Sequence, residues 1–142
     1  MAKIISAFPG CGKSTVYNKA IGKTNISDSD SSHFSKAGFP QNYLTHIAEL
    51  YKQDFTCLVS SHKEVREGLR DMNLPFTLVY PSHDCKQEYI ERYINRGSPE
   101  AFIKLLEEKF DEWVDECNDF QADRCTKVVL HPQEFLADVI EL

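Results

Sequence analysis

The alternation of hydrophobic and polar positions changes period several times along the chain, and each change marks an element. Lys3 to Ala7 is a short apolar run that stops at Pro9-Gly10, as a buried strand stops at a turn. The spacing then predicts a helix over Lys13 to Ile21 and a weak strand over Thr24 to Ser27, which belongs at a sheet edge. Asp28 to Gly38 is rich in Ser and Asp and reads as a loop. Pro40 to Gln53 places Tyr43, Ile47, Leu50 and Tyr51 on one helical face. Phe55 to Ser60 reads as a buried strand, His62 to Met72 as a helix with Val65, Leu69 and Met72 at helical spacing, and Pro75 to Tyr80 as another strand. Lys86 to Asn95 predicts a helix closed by Gly97. Ser98 and Pro99 form an N-cap and first-turn pair for a long helix to about Asn118, whose apolar face is Phe102, Leu106, Phe110, Trp113 and Cys117. Lys127 to Leu130 supplies a fifth strand and Pro132 to Ile140 a last helix.

Five strands alternating with helices imply an α/β fold, a parallel sheet covered on both faces with right-handed crossovers. Ligands of such sheets sit at the carboxyl ends of the strands, so the residues just after each strand are the functional candidates. The 142 residues contain no repeat and no Pro/Gly linker, which makes residues 1–142 one domain. Hydrophobic content of 42% and charged content of 27% are those of a soluble globular chain. A net charge of −6 argues against a general nucleic-acid binder, while allowing a local basic pocket for a phosphorylated ligand. Cys11, Cys57, Cys85, Cys117 and Cys125 are odd in number and form no C-x-x-C pair, so free thiols in a reducing cytosol are expected. The opening apolar run is too short for a signal peptide, and no stretch approaches the ~20 apolar residues that span a bilayer. A cytoplasmic protein without a membrane partner is the expectation.

Ala7-Phe8-Pro9-Gly10-Cys11-Gly12-Lys13-Ser14 has the G-x-x-x-x-G-K-[ST] spacing of a phosphate-binding loop (P-loop), with Ala7 in place of the first Gly. Its setting, after an apolar strand and before a helix, is the one the motif requires. Pro9, Gly10, Cys11, Gly12, Lys13, Ser14 and Thr15 are therefore the candidate nucleotide-binding residues. Gly10 and Gly12 let backbone N–H groups converge on phosphate oxygens, and the following helix adds the positive end of its dipole. Lys13 is expected to reach the β- and γ-phosphates of ATP, and the Ser14 hydroxyl to ligate Mg²⁺. Cys11 reads as a small filler residue.

Asp28-Ser29-Asp30 follows the second strand and reads either as an ordinary turn or as a site where a carboxylate faces Mg·ATP. Asp30 lies further out and is the candidate catalytic base; Asp28 is assigned to acceptor binding. His33 reads as a loop residue. The third strand ends in Ser60-Ser61-His62 without an acid, which counts against a motor or remodelling ATPase. Arg66, one turn into the next helix, is a candidate clamp for an acceptor's anionic group, whereas Arg70 is the weaker candidate. Arg92 and Arg96 lie one turn apart on one helix face and are candidate catalytic arginines of a lid, with Gly97-Ser98-Pro99 as its hinge. The acidic residues from Glu107 to Asp119 read as a solvated face, and His83 and Cys85 show no zinc spacing.

On these residues the chain resembles the nucleoside monophosphate kinase-like branch of P-loop kinases. Asp28-Ser29-Asp30 is similar to the D-G-D stretch of adenylylsulfate and gluconate kinases, with Ser29 in the Gly position. Val59 to Arg66 is similar to the segment after their third strand, and Arg92 and Arg96 to the family's lid arginines. The resemblance implies a sheet in the order 2-3-1-4-5, Mg·ATP as phosphoryl donor, and an adenine bordered by His131, Pro132 and Gln133. The lid is very short and the D-G-x-P-R stretch of adenylate kinases is absent, so the resemblance does not carry an acceptor over. A small-molecule kinase is the leading expectation, with a nucleotide or nucleoside monophosphate as first acceptor and a hydroxyl compound next. An acceptor-free NTPase or nucleotide-binding switch is the alternative, and a P-loop protein with only an interaction role a third.

Overall fold

A computed structural model describes residues 3–20, 25–29 and 37–140, with Ser14 described in its backbone alone. Five strands, β1 (Lys3–Ala7), β2 (Ile26–Asp28), β3 (Thr56–Ser60), β4 (Phe76–Pro81) and β5 (Cys125–Leu130), form one sheet. Every pairing is parallel and the order is β2-β3-β1-β4-β5. Around it stand α1 (Lys13–Ala20), α2 (Gln41–Lys52), α3 (Lys63–Asp71), α4 (Lys86–Asn95), α5 (Glu100–Asp119) and α6 (Leu136–Val139). This is the α/β architecture and strand order expected. The interior strands read as nearly continuous buried runs because helices cover both faces, whereas β5, at an edge, is exposed or half-buried up to its last residue, Leu130. The chain leaves β1 for one side of the sheet and later returns to the other, so the carboxyl ends of β1 and β3 flank the switch point where such sheets open a crevice.

The core runs through both layers: Ile4, Ile5, Leu58 and Val59 from the strands meet Tyr43, Ile47, Val65 and Leu69 from α2 and α3, and Tyr89, Leu106, Phe110 and Val114 from α4 and α5. Most element bounds fall within a residue or two of the sequence reading, the usual scatter at frayed ends. Ile21 and Thr24 lie outside the described residues. Three departures have physical causes. Asp28 is the last residue of β2, where its partner Leu58 holds it in register, and is not in the loop. Pro99, not Ser98, sits at the N-cap of α5. Gly97, at φ +73, ends α4 in a closed backbone cap: its N–H bonds Ile94 O at 3.0 Å and the Ser98 N–H bonds Tyr93 O at 3.1 Å. Tyr93 also meets Phe102 edge to face at 4.8 Å between centroids, so the α4–α5 connection is a braced corner where a hinge was expected.

The predicted last helix is shorter than expected. Residues 131–135 form a turn, with Gln133 at φ +70, because their backbone groups are used in tertiary bonds described below. Among the described residues no helix is long and apolar enough to cross a membrane. All five cysteines are free thiols.

The acidic side of α5 is exposed, as expected, and carries one cluster of ion pairs. His83, in a short 3-10 turn before α4 (His83–Cys85), lies with Nδ1 2.9 Å from Asp111 and Nε2 2.9 Å from Asp115, one helical turn apart. Two carboxylates accept both N–H groups only from an imidazolium. The Asp111 hydrogen bond raises the His83 pKa above its ordinary value, and His83 in turn lowers that of Asp111. A raised histidine stabilises the fold below its unfolded pKa and loses that contribution as pH rises through the folded value; a depressed aspartate loses its contribution as pH falls. Thermal stability is therefore expected to drop on passing upward through the His83 titration. His83→Gln should flatten that part of the profile while changing little else, because the site is exposed. An unchanged slope in the variant would show that the bridge contributes nothing.

Candidate functional site

A crevice of ≈ 690 Å³ opens at the carboxyl ends of the strands, against the β1–α1 loop. Its floor is Ala7 to Gly10, Gly12 and Lys13. The loop is fixed from below. The Phe8 N–H bonds Val79 O at 2.9 Å, and the Phe8 ring is buried edge-on against Tyr89, Phe110 and Trp113. Gly10 and Gly12 have φ of +86 and +101, conformations that side chains rarely adopt, and a Cβ on Gly10 would stand 2.9 Å from the Tyr93 ring. Glycine at both positions is thus required by this backbone. The loop leads directly into α1, and Gly12, Lys13 and Thr15 at its start line the crevice, the end of a helix where N–H groups are left unpaired. Lys13 is its first residue, and Nζ lies 3.8 Å from Asp28 Oδ1, with both side chains about a quarter exposed. Cys11 is fully buried, and desolvation pushes its thiol up to about 12, which leaves it an inert packing residue. Thr15 also lines the crevice. The Ser14 side chain, Asp30 and His33 lie outside the described residues.

One wall comes from the ends of β2 and β3. Asp28, Ser60, Ser61 and His62 line it. Tyr43, fully buried on α2, joins the two strand ends: its hydroxyl donates to Ser29 O and accepts the Ser60 N–H at 3.2 Å. Ser29 Oγ lies 3.0 Å from Ser27 Oγ and 3.4 Å from His46 Nε2, and Ser6 Oγ donates to Ser60 O at 2.8 Å. This network ties Ser29, the residue after Asp28, to α2. Tyr43 and His46 were not singled out in the sequence beyond the apolar face of Tyr43. The signal for them, polar groups on the sheet-facing side of α2, is visible only once the side that α2 covers is known.

Arg66 lies behind this wall and does not line the crevice, which corrects its assignment to acceptor binding. It is 3% exposed and its guanidinium is occupied elsewhere. Nε donates to Ser61 O at 2.9 Å, Nη1 to Glu116 O at 3.3 Å, Nη2 lies 3.5 Å from the Glu116 carboxylate, and the Phe120 ring lies 5.2 Å away. The cause is the carboxyl end of α5, which has no basic residue of its own in its last turn and presents unpaired carbonyls. Arg66 and Lys127, whose Nζ donates to Asn118 O at 2.6 Å, supply the positive charge there. Arg70 pairs with neighbouring Asp71 at the surface.

The other wall is α4 and the turn before α6. Arg92, Tyr93, Asn95, Arg96 and Phe135 line it. Arg96 is exposed and stacks over Tyr93, 4.9 Å from its centroid. Arg92 is tied down: Nη1 donates to Gly10 O at 2.7 Å, Nη2 to Glu88 Oε2 at 2.6 Å and to Glu134 O at 3.3 Å. Its guanidinium sits between the rings of Tyr89 at 4.4 Å and Phe135 at 4.0 Å. From the turn, it is Phe135 that enters the crevice, against Gly12, whereas Pro132 is exposed and does not line it. Phe135 was not singled out because the sequence reading placed it inside a last helix, whereas it precedes a short one and is 44% exposed.

A divalent ion carried by a nucleotide takes most of its ligands from phosphates and water. Asp28 is a hard oxygen donor of the appropriate kind, placed beside Lys13. Among the described residues no group of three or more His, Cys, Asp or Glu is placed to hold a metal by itself. A second cavity, ≈ 500 Å³, lies at the amino-terminal ends of the strands beside Lys3, Ile5, Phe76 and Ile140, away from Lys13. No family model and no curated protein sequence matches the chain.

Proposed function

We propose that the protein is a P-loop kinase that moves the γ-phosphoryl group of Mg·ATP to a small acceptor. The observation that carries this reading is the β1–α1 loop: two glycines in left-handed conformation lead into a helix whose first residue, Lys13, faces Asp28 across the crevice. Converging N–H groups, a helix dipole and a lysine make an anion cradle, and the carboxylate supplies an oxygen for metal-bound water or for the acceptor's proton. Lys13 would hold the β- and γ-phosphates, and Asp28 with the Ser14 hydroxyl would hold the ion. The ion would neutralise charge between the phosphates. Asp30 remains the candidate base. Its proton would come from the attacking hydroxyl as the bond between the γ-phosphorus and the bridging oxygen breaks and ADP leaves.

A nucleoside monophosphate was the first acceptor expected. With Arg66 committed to α5, the wall facing Lys13 is built from Asp28, Ser60, Ser61 and His62, a set suited to hydrogen-bonding hydroxyl groups. That favours a hydroxyl-bearing acceptor such as a sugar acid, adenylylsulfate or a 5′-hydroxyl nucleic-acid end. The test is a coupled ADP assay against nucleoside monophosphates, nucleosides and these hydroxyl compounds. One acceptor should accelerate ADP release and gain the phosphoryl group itself, and Asp30→Asn should slow that transfer by about 100-fold or more, the usual worth of a positioned base. Steady water-only hydrolysis with no responder in the panel would replace the kinase reading by an acceptor-free NTPase.

A further inference from the structure

Two arginines one turn apart, Arg92 on α4 and Arg96 just past its end, face the same crevice, yet their surroundings differ completely. Arg96 meets one ring and is exposed. Arg92 makes three hydrogen bonds and two ring contacts, with 14% of its side chain exposed. Its partners belong to three separate segments: Gly10 in the β1–α1 loop, Glu88 one turn back on α4, and Glu134 and Phe135 in the turn before α6.

Glu88 extends the connection. While one of its oxygens accepts from Arg92, the carboxylate also accepts the Gln133 N–H, at 2.9 and 3.1 Å to its two oxygens. The turn in its own right grips the loop, because the Leu136 N–H bonds Cys11 O at 2.8 Å. Phe135 closes the ring of contacts by lying over both the Arg92 guanidinium and Gly12. Gly10 O has one further consequence. The carbonyl accepts from Arg92 while the N–H of the same peptide unit, that of Cys11, bonds Phe8 O at 3.3 Å, so both ends of this unit are held.

We infer that Glu88 and Arg92 form a strut that locks the phosphate loop to the 131–136 turn before any nucleotide arrives. Arg92 is then a positioning residue, and Arg96 alone of the two meets the transferring phosphoryl group. This divides a pair that the sequence presents as equivalent. The division rests on the kinase reading for the role of Arg96, but the strut itself does not. A planar guanidinium is essential to it, because a lysine carries the charge on a single nitrogen and has neither the two-nitrogen fork that spans Gly10 and Glu88 nor a flat face for the two rings.

The strut is tested by amide hydrogen exchange on the nucleotide-free protein, read at Cys11, Gln133 and Leu136, alongside ATP affinity and kcat. Arg92→Lys should speed exchange at all three amides by about tenfold or more, the population change expected when a charge-assisted hydrogen bond is lost. It should weaken ATP binding more than it lowers kcat at saturation. Glu88→Gln, a milder change that leaves Arg92 in place, should speed exchange chiefly at Gln133 and Leu136. Arg96→Ala should leave all three amides at the parent rate and lower kcat. Parent-like exchange in both Arg92→Lys and Glu88→Gln overturns the strut. So does an Arg92→Lys variant with lowered kcat but unchanged exchange and ATP affinity, which would return Arg92 to the transition state. If the parent binds no nucleotide, the kinase reading fails, while the exchange rates still decide whether the two segments are locked together.

Discussion

Lys13→Ala is expected to weaken Mg·ATP binding on the order of a hundredfold and to leave the fold standing. The affinity estimate follows from the chemistry of the cradle: hydrogen bonds to charged groups contribute about 1.5–3 kcal/mol each, and an ammonium between two phosphates makes at least one. The fold survives because the Lys13 side chain is partly solvated, and its recorded ion pair is the 3.8 Å approach to Asp28. Pairs of that exposure contribute about 0–1 kcal/mol. Isothermal calorimetry with Mg·ATP, beside a thermal melt of the same preparation, separates the two effects. A variant that melts like the parent and binds as tightly would remove the β1–α1 loop from nucleotide binding altogether. Lys13→Arg is the informative companion, since it keeps the charge while enlarging the head group in a loop whose glycines leave little spare room.

What could be read from the residues, and what could not, divides along the range of the interactions. The β1–α1 loop was legible because everything that makes it is local. An apolar run, a Pro-Gly turn and a Gly-Lys-Ser start of a helix lie within a dozen residues, and each signal agrees with the others. Strand order followed from a resemblance and not from the pattern, since periodicity says which segments are strands but not which ones pair. Arg66 shows the limit. Its spacing after β3 placed it correctly one turn into α3, but its direction was decided by the bare carboxyl end of α5, fifty residues later in the chain. Residues 131–135 failed for the same reason. Their local preference was helical, and it yielded to bonds from Gln133 to Glu88 and from Leu136 to Cys11. Asp30 and the Ser14 hydroxyl, on which the catalytic and metal assignments depend, belong to the parts of the chain that the structure does not describe.

Phe8→Ala should be among the most damaging single changes in the molecule, costing about 3–5 kcal/mol, the range for truncating a fully buried aromatic ring. Phe8 is 2% exposed and sits where the β1–α1 loop begins, but its ring points into the core, with centroids of Tyr89, Phe110 and Trp113 at 6.0, 5.6 and 6.3 Å. These are edge-to-face pairs, which contribute beyond the area they bury. The backbone bond from Phe8 N–H to Val79 O survives the substitution, so the loss isolates the ring. Against a total stability of about 5–15 kcal/mol for a domain of this kind, the variant should unfold at a much lower urea concentration with an unchanged slope. The loss should also reach function. Tyr89 is both a wall of the Phe8 pocket and one of the two rings holding Arg92, so an emptied pocket loosens the support of Gly10 from beneath. Excess Mg·ATP, which stabilises a native state in proportion to its affinity, should therefore raise the variant's midpoint less than it raises the parent's. Phe8→Leu refills most of the volume without the ring contacts and should fall between the two, which keeps the comparison readable if the alanine variant does not fold. Urea midpoints equal to the parent's in both variants would mean that the ring does not anchor the loop, and that the left-handed glycines hold its shape without it.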